Sequence, residues 1–376
     1  MSANIKIGND TLQGVDAVEL ENADALGSYV KFTLGVAGGY TVTFVAEGNP
    51  YSVISVTAGS AIKEPIPPEV TGSVTGWSTD EAGANLVSFP YTPTSDITLY
   101  AKVSAPKTLE ESTWAEIAQV SANKSWDAMG WQVGDSKTIT LNGTVGTLAL
   151  DNYQCKVYII GFDHNADKEG QGISFGMLEG MDGKQLCLVD QYFKSGTSEV
   201  MAFSMNTTQT NAGGWKAAKM RKTILGSTDV ENGDATPDTI ANPAANTLMA
   251  ALPADLRAVL KPITKYTDNV GNSQEASAIS PTIDYLPLMA EYEVRGAQTN
   301  ANNNETRYQE QYEYYKSGNS TIKYKQNDVA STAFWWLRSP KSSKSTDFCF
   351  VLVNQSGMVF GNHATSSYGV APAFLV

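Results

Sequence analysis

An α+β chain, richer in strand than in helix, is what this sequence predicts, and three observations carry the reading. Period-two alternation of apolar and polar residues marks short strands at 40–45, 52–56 and 97–103. Apolar residues return at helical spacing only in the later part, around 114–120 and 247–260. Charged residues make up only 17% of the chain while glycines number 32, the balance of a strand-and-loop protein rather than of a helical bundle.

At 376 residues the chain exceeds one ordinary domain of roughly 100–200 residues. The net charge of −13 argues against nucleic acid and against insertion into or adsorption on an anionic membrane, because both partners need clustered Lys and Arg. No apolar run approaches the length of a membrane-spanning helix, and the first residues carry no apolar leader. Cys155, Cys187 and Cys349 lie far apart among apolar neighbours, which reads as three buried free thiols.

Four segments follow in order. Residues 1–39 carry three short alternating runs (5–7, 15–20 and 29–34) and are too small to stand alone, so they read as an anchoring piece. Residues 40–103 form a self-contained unit with a Pro-rich connector at 65–68. Within it Tyr40-Thr41-Val42-Thr43-Phe44 opens, Gly-Trp-Ser-Thr-Asp-Glu-Ala-Gly stands at 76–83, and Ser95-Asp96-Ile97-Thr98-Leu99-Tyr100-Ala101-Lys102 closes. These stretches resemble the Listeria–Bacteroides (internalin B-type) repeat, departing from it where Val103 stands in place of the usual Trp. The resemblance implies a β-grasp-like spacer module, with Trp77 as a core residue rather than a sugar platform. Residues 104–112 read as a linker.

The remainder, 113–376, reads as one large domain. A helix begins near Trp114 behind Ser112 or Thr113 as N-cap, and a strand runs through 131–141 after a turn. A buried strand over 155–162 leads into Asp163-His164-Asn165. The spacing predicts an amphipathic helix over 213–225 and another over 247–261 that Pro253 splits. The Asn-rich run 299–304 reads as a solvated loop, with Tyr308, Tyr312 and Tyr315 at helical spacing beyond it.

The last forty residues organise the domain: Phe334-Trp335-Trp336-Leu337-Arg338-Ser339-Pro340, an apolar run at 348–353 and Gly369-Val370-Ala371-Pro372-Ala373-Phe374 are rigid blocks separated by small polar residues. Together with Trp131-x-Val133-Gly134-Asp135, Tyr158-Ile159-Ile160-Gly161-Phe162-Asp163, Gly213-Gly214-Trp215 and Met220-Arg221, this series resembles a family of unassigned function from gut bacteria and their phages. That family is akin to the C-type-lectin-like and formylglycine-generating-enzyme-like folds. The resemblance implies a C-type-lectin-like mixed α/β domain of the kind that serves as a variable protein of diversity-generating retroelements, with changeable side chains on a fixed scaffold.

Trp335, Trp336, Arg338 and Phe374 are accordingly expected to be scaffold. Adjacent strand residues face opposite ways, so at most one of the two tryptophans is expected to reach the surface. The expected ligand contacts are the inconspicuous residues between the blocks: Lys341, Ser343, Lys344, Asn354, Asn362, His363, Thr365, Ser366 and Tyr368. Asp163-His164-Asn165 reads as a structural polar network. The Asp/Asn-rich loops at 163–167 and 229–234 lack EF-hand spacing, and two histidines do not make a metal centre, so neither metal nor cofactor is expected. Cys349 has no partner thiol, which disfavours the formylglycine-generating activity, and no nucleophile–base pair can be assembled.

The expected function is that of a phage virion protein, made in the host cytoplasm without a signal peptide: a tail- or fibre-associated adhesin that binds a glycan or protein of the host surface. Residues 1–39 would join it to other virion proteins, and fibre-like parts of virions are commonly trimers. A capsid decoration or head-fibre protein is the alternative. An enzyme acting on surface glycans is a third, with Asp163 and Glu179 as its carboxylate pair.

Overall fold

The computed structural model describes residues 3–7, 10–15, 39–68, 70, 72–342 and 349–376. The chain is mixed α/β and strand-rich, with several small sheets. It divides into two compact units, Met1–Lys107 and Thr108–Val376, each described by itself.

In the first unit Ala3–Ile7 and Asp10–Val15 pair as an antiparallel hairpin, Ile7 opposite Asp10. The other strand expectations for the first 39 residues fall mainly outside the described residues. A five-stranded sheet then runs in the order Asn49–Thr57, Gly39–Ala46, Ile97–Ser104, Ser73–Ser78, Leu86–Val87. Its central pair, Gly39–Ala46 with Ile97–Ser104, is parallel, so the chain between them must cross over. One face buries Val42, Phe44, Val56, Ile62, Trp77 and Leu99. Trp77 meets Phe44 edge-on with ring centroids 4.9 Å apart, which is a core role. The loop after it is tied by Asp80, whose carboxylate accepts from Ala84 N–H at 3.0 Å and Asn85 N–H at 2.6 Å.

The second unit opens with the helix Trp114–Asn123. Thr113 caps it reciprocally with Glu116, and the left-handed Lys124 ends it. The expected strand at 131–141 starts later, at Ser136, because Gly134 at φ 100° turns the chain first. Four antiparallel strands follow in the order Ala373–Leu375, Ile173–Glu179, Leu148–Phe162, Ser136–Val145. The last strand of the chain is therefore an inner part of the core: Phe374 stacks on Phe175 at 5.1 Å.

The expected helix over 213–225 is replaced by turns and one π-helical stretch, Met220–Ile224. Gly213 and Gly214 both have positive φ, and a Cβ on Gly214 would lie 1.8 Å from the Asp268 carbonyl oxygen. The local chain thus turns where an α-helix would run straight. Trp215 and Arg221 converge on the buried Asp284, which accepts from Trp215 Nε1 at 3.2 Å, Arg221 Nε at 2.6 Å, Ser227 Oγ at 2.9 Å and Thr282 Oγ1 at 2.7 Å. The 247–261 segment does split at Pro253, into Leu248–Ala251 and Ala254–Arg257. The tyrosines expected on one helix lie on a 3₁₀ turn's end and on the short helix Glu313–Lys316. The Asn-rich loop is not fully solvated either. Ala301 and Asn302 are buried because the Glu291 carboxylate accepts the backbone N–H groups of Thr299, Asn300 and Ala301.

The strand Trp335–Pro340 pairs with Cys349–Val353, and that strand with Val359–His363. Both tryptophans are fully buried, which corrects the expectation that one could reach the surface. Trp335 and Leu337 pack with Tyr158, Ile160, Val351 and Val353; Trp336 packs on the other side with Phe350, Leu352, Val370 and Phe374. A strand covered on both faces needs apolar residues at every position, and this one has them apart from Arg338 and Ser339. Each indole N–H finds a carbonyl: Trp335 that of Thr321 at 3.0 Å and Trp336 that of Phe203 at 2.9 Å.

Candidate binding face

Arg338 lies in that doubly covered strand and is satisfied entirely from within. Its guanidinium grips Glu293 bidentately, at 2.5 and 2.8 Å, and donates to Thr267 Oγ1 at 2.9 Å and to the Leu288 carbonyl at 3.0 Å. Glu293 also accepts from Lys265 Nζ at 2.9 Å, and Lys265 is paired with Glu169 besides. Although burial opposes it, Arg338 and Lys265 hold the Glu293 carboxyl well below the usual carboxylate range. Two cations and two carboxylates so balance in the core, and the strand Trp335–Pro340 is fixed in position. Beside them Glu305 accepts from Ser339 Oγ at 2.7 Å and Asp268 N–H at 2.9 Å, and burial pushes its carboxyl up to about 7.

The turn after Val359–His363 is where the polar residues of the C-terminal region gather. Ser366 N–H closes it onto His363 O at 3.0 Å. A second polar segment is clamped alongside by backbone bonds: Thr197 N–H to Thr365 O at 2.9 Å, Lys194 N–H to Ser367 O at 2.7 Å and Ser367 N–H to Ser195 O at 3.0 Å. Buried Asp190 holds the clamp, accepting from Ser367 Oγ at 2.7 Å, Tyr192 N–H at 2.9 Å and Phe203 N–H at 2.7 Å. Between the segments opens a polar hollow of about 400 Å³, lined by Gly196, Thr197, Ser198, Gln209, His363, Thr365 and Ser366. The Gln209 amide reaches His363 Nδ1 across its rim.

Of the expected contact residues, His363, Thr365 and Ser366 therefore share one site. Lys341 stands nearby, its N–H on Cys349 O at 3.0 Å and its stem over Gly361, where a Cβ would come within 2.3 Å of Lys341 Cδ. Tyr368 does not line the hollow: its ring is buried against Phe334 and Trp336, and Asn362 Nδ2 donates to its hydroxyl at 2.9 Å. Asn354 caps the opposite end of the hairpin, accepting from Ser356 and Met358 N–H at 2.9 Å. Since Val353 pairs with Val359 and Cys349 with His363, Asn354 stands about 17 Å of strand away from the hollow. Ser343 and Lys344 lie outside the described residues.

Gly196, Thr197, Ser198 and Gln209 were not among the expected contacts. The run Lys194-Ser195-Gly196-Thr197-Ser198 is as small and polar as the runs singled out near the end of the chain, so a compositional signal exists. Its pairing with residues 365–367 does not show in the sequence.

Lysines and aromatic rings stand beside the second segment. Lys194 Nζ lies 4.9 Å from the Phe334 ring and Lys325 Nζ 4.8 Å from the Phe193 ring. Beneath it Lys219 donates to Ser204 Oγ at 2.9 Å and to the Ala202 carbonyl, and burial pushes its amine down to about 7.

None of the other sequence candidates lines the hollow. Asp163 pairs with Lys124 at 2.6 Å and accepts from Gly172 N–H at 3.0 Å; His164 is buried and stacks on Tyr312 at 3.9 Å. Asp163 follows Phe162, which pairs with Ile173, whereas Glu179 pairs with Lys156 at the far end of the same two strands. They stand about 20 Å apart along the strands, too far to act as the paired carboxylates of glycoside hydrolysis. Among the described residues no cluster of three or more His, Cys, Asp and Glu has metal-binding geometry.

Two families match the chain. Residues 40–102 match the Listeria-Bacteroides repeat domain, and residues 187–376 match a domain of unknown function (DUF6273). No curated protein and no solved structure matches it.

Proposed function

We propose a function for a chain that, through residues 187–376, belongs to the DUF6273 family: it is a phage virion adhesin that binds the host cell surface. In this reading residues 108–376 form a C-type-lectin-like binding domain, and the Listeria-Bacteroides repeat before them is a β-grasp-like spacer. The observation that carries it is the polar hollow built from Gly196–Ser198 and His363–Ser366, two tolerant segments clamped to each other by backbone hydrogen bonds. Backbone clamping leaves the side chains free to differ without loss of fold, which is what a binding face open to diversification requires. Its ligand is a cell-surface glycan or protein reached by hydrogen bonds, with Lys194 and Lys341 at hand for an acidic group.

The test is binding of the labelled full-length chain to a panel of intact gut bacteria and to a glycan array. The double variant Gln209→Ala/Thr365→Ala is expected to bind at least about tenfold more weakly, the worth of one or two hydrogen bonds, with an unchanged melting temperature. Equal binding by the variant would move the site elsewhere. Labelling of virions at the capsid, with no binding to any cell or glycan, would overturn the adhesin in favour of capsid decoration.

A further inference from the structure

Three neighbouring strands bring together a lysine, a carboxamide and a carboxyl group that the binding face does not use. Lys323–Lys325 runs parallel to Leu186–Cys187, with Leu186 beside Tyr324, and Glu179 bridges Gln185 from the other side. That register puts Glu179, Gln185 and Lys323 in one line across the strands. Gln185 Nε2 donates to Glu179 Oε2 at 3.1 Å, and Lys323 Nζ lies 3.4 Å from Gln185 Oε1 and 3.3 Å from the Tyr158 hydroxyl.

Lys323 is an anomaly in this fold. It is 1% exposed, yet among the described residues no carboxylate stands within ion-pair distance. The equally buried Lys265, by contrast, has two carboxylates and a phenol. Two long hydrogen bonds to neutral groups, with the Trp335 ring at 5.2 Å and the Tyr158 ring at 5.7 Å, are a poor exchange for the hydration of an ammonium. Burial pushes the Lys323 amine down to about 8, and burial likewise raises the Glu179 carboxyl. At about 8 a fraction of the Lys323 amine is neutral near pH 7, and Glu179, with Lys156 Nζ 3.8 Å from its other oxygen, is a carboxylate placed to relay a proton; amide exchange needs such a pair.

We propose that Lys323 and Gln185 are joined by an intramolecular isopeptide bond, with Glu179 carrying the proton. The Nζ lone pair attacks Gln185 Cδ, the atom one bond behind the oxygen it already faces, and a C–N bond forms. Once bonded to Cδ, Nζ stands beside Nε2, and Glu179, in contact with that leaving nitrogen at 3.1 Å, takes the proton Nζ sheds and passes it to Nε2. The Cδ–Nε2 bond then breaks and ammonia departs. Amine plus carboxamide gives secondary amide plus ammonia; nothing is oxidised or reduced, and Glu179 ends as it began. The product replaces the buried amine by an amide and ties together residues 138 apart in sequence, a covalent brace under the strands that carry Trp335.

Intact-mass spectrometry of the full-length chain tests this directly. The protein is expected to be lighter than its sequence by one ammonia, and its digest to contain a branched peptide joining Gln185 to Lys323. Glu179→Gln and Lys323→Arg are expected to keep the full sequence mass. Full mass in the native chain after prolonged incubation, or an ammonia loss mapped to any other site, overturns the proposal, and that result does not depend on whether a variant folds.

Discussion

Replacing Arg338 by Met is the sharpest probe of how the scaffold is held. The side chain is fully buried, and its loss leaves Glu293 with the Lys265 ammonium and the Ala290 N–H, strands the Leu288 carbonyl and removes the donor to Thr267 Oγ1. Four charges that cancel in pairs become three, with a net negative charge in the core. Breaking one partner out of a buried pair costs about 3–5 kcal/mol, because the remaining charge is left uncompensated. For a unit of this size that lowers the melting temperature by on the order of 10 °C. Urea unfolding followed by tryptophan fluorescence reports it cleanly, since all tryptophans except Trp77 lie in Thr108–Val376. The double variant Arg338→Met/Glu293→Gln restores neutrality, with Lys265 still paired to Glu169, and is expected to be more stable than the single variant. The pH dependence has a definite sign. Because the folded Glu293 carboxyl is held low, its contribution is complete above the unfolded carboxylate pKa of about 4.3 and fades as pH falls. The cost of Arg338→Met should therefore shrink in acid. A loss under about 1 kcal/mol, or strict additivity in the double variant, would refute the charge-balance account.

Three other outcomes are expected. Glu305 has the opposite sign: its folded pKa is raised to about 7, so its contribution is complete below the unfolded carboxylate pKa and lost as pH rises to about 7. Glu305→Gln should accordingly gain on the native chain between about pH 5 and pH 7 in paired urea titrations; parallel curves would show that Glu305 stays ionised. Gly214→Ala must place a methyl group against the Asp268 carbonyl at positive φ and should cost on the order of 3 kcal/mol by the same assay. Trp77→Ala empties the centre of the five-stranded module, at a cost of about 3–5 kcal/mol, and should open residues 39–104 to limited proteolysis.

Much of the architecture was legible because it rests on local rules. Alternation marked the strands of the repeat module, Ser112 or Thr113 announced the start of the helix at Trp114, and Pro253 announced a break. Local rules failed where burial was decided by distant chain. Residues 213–225 read as a helix because Lys, Arg and apolar residues recur at helical spacing. In the fold that stretch bends at two glycines to send Trp215 and Arg221 to Asp284, some sixty positions away in the chain. The Asn-rich loop read as solvated, yet Glu291 pulls its backbone inward.

The final forty residues mark the same boundary. Sequence alone determined that they alternate rigid apolar blocks with tolerant polar runs, because hydrophobic pattern and small-residue composition are properties of each segment by itself. Which polar residues share a site was decided by the tertiary structure. His363, Thr365 and Ser366 meet Gly196–Ser198 through backbone bonds that carry no side-chain signature. Asn354 is sent to the other end of the hairpin by register, and Tyr368 is drawn into the core by three aromatic neighbours, Phe193, Phe334 and Trp336. Hydrogen bonds between main-chain groups are open to every residue type, so the sequence could show that such a face exists but not which segments compose it.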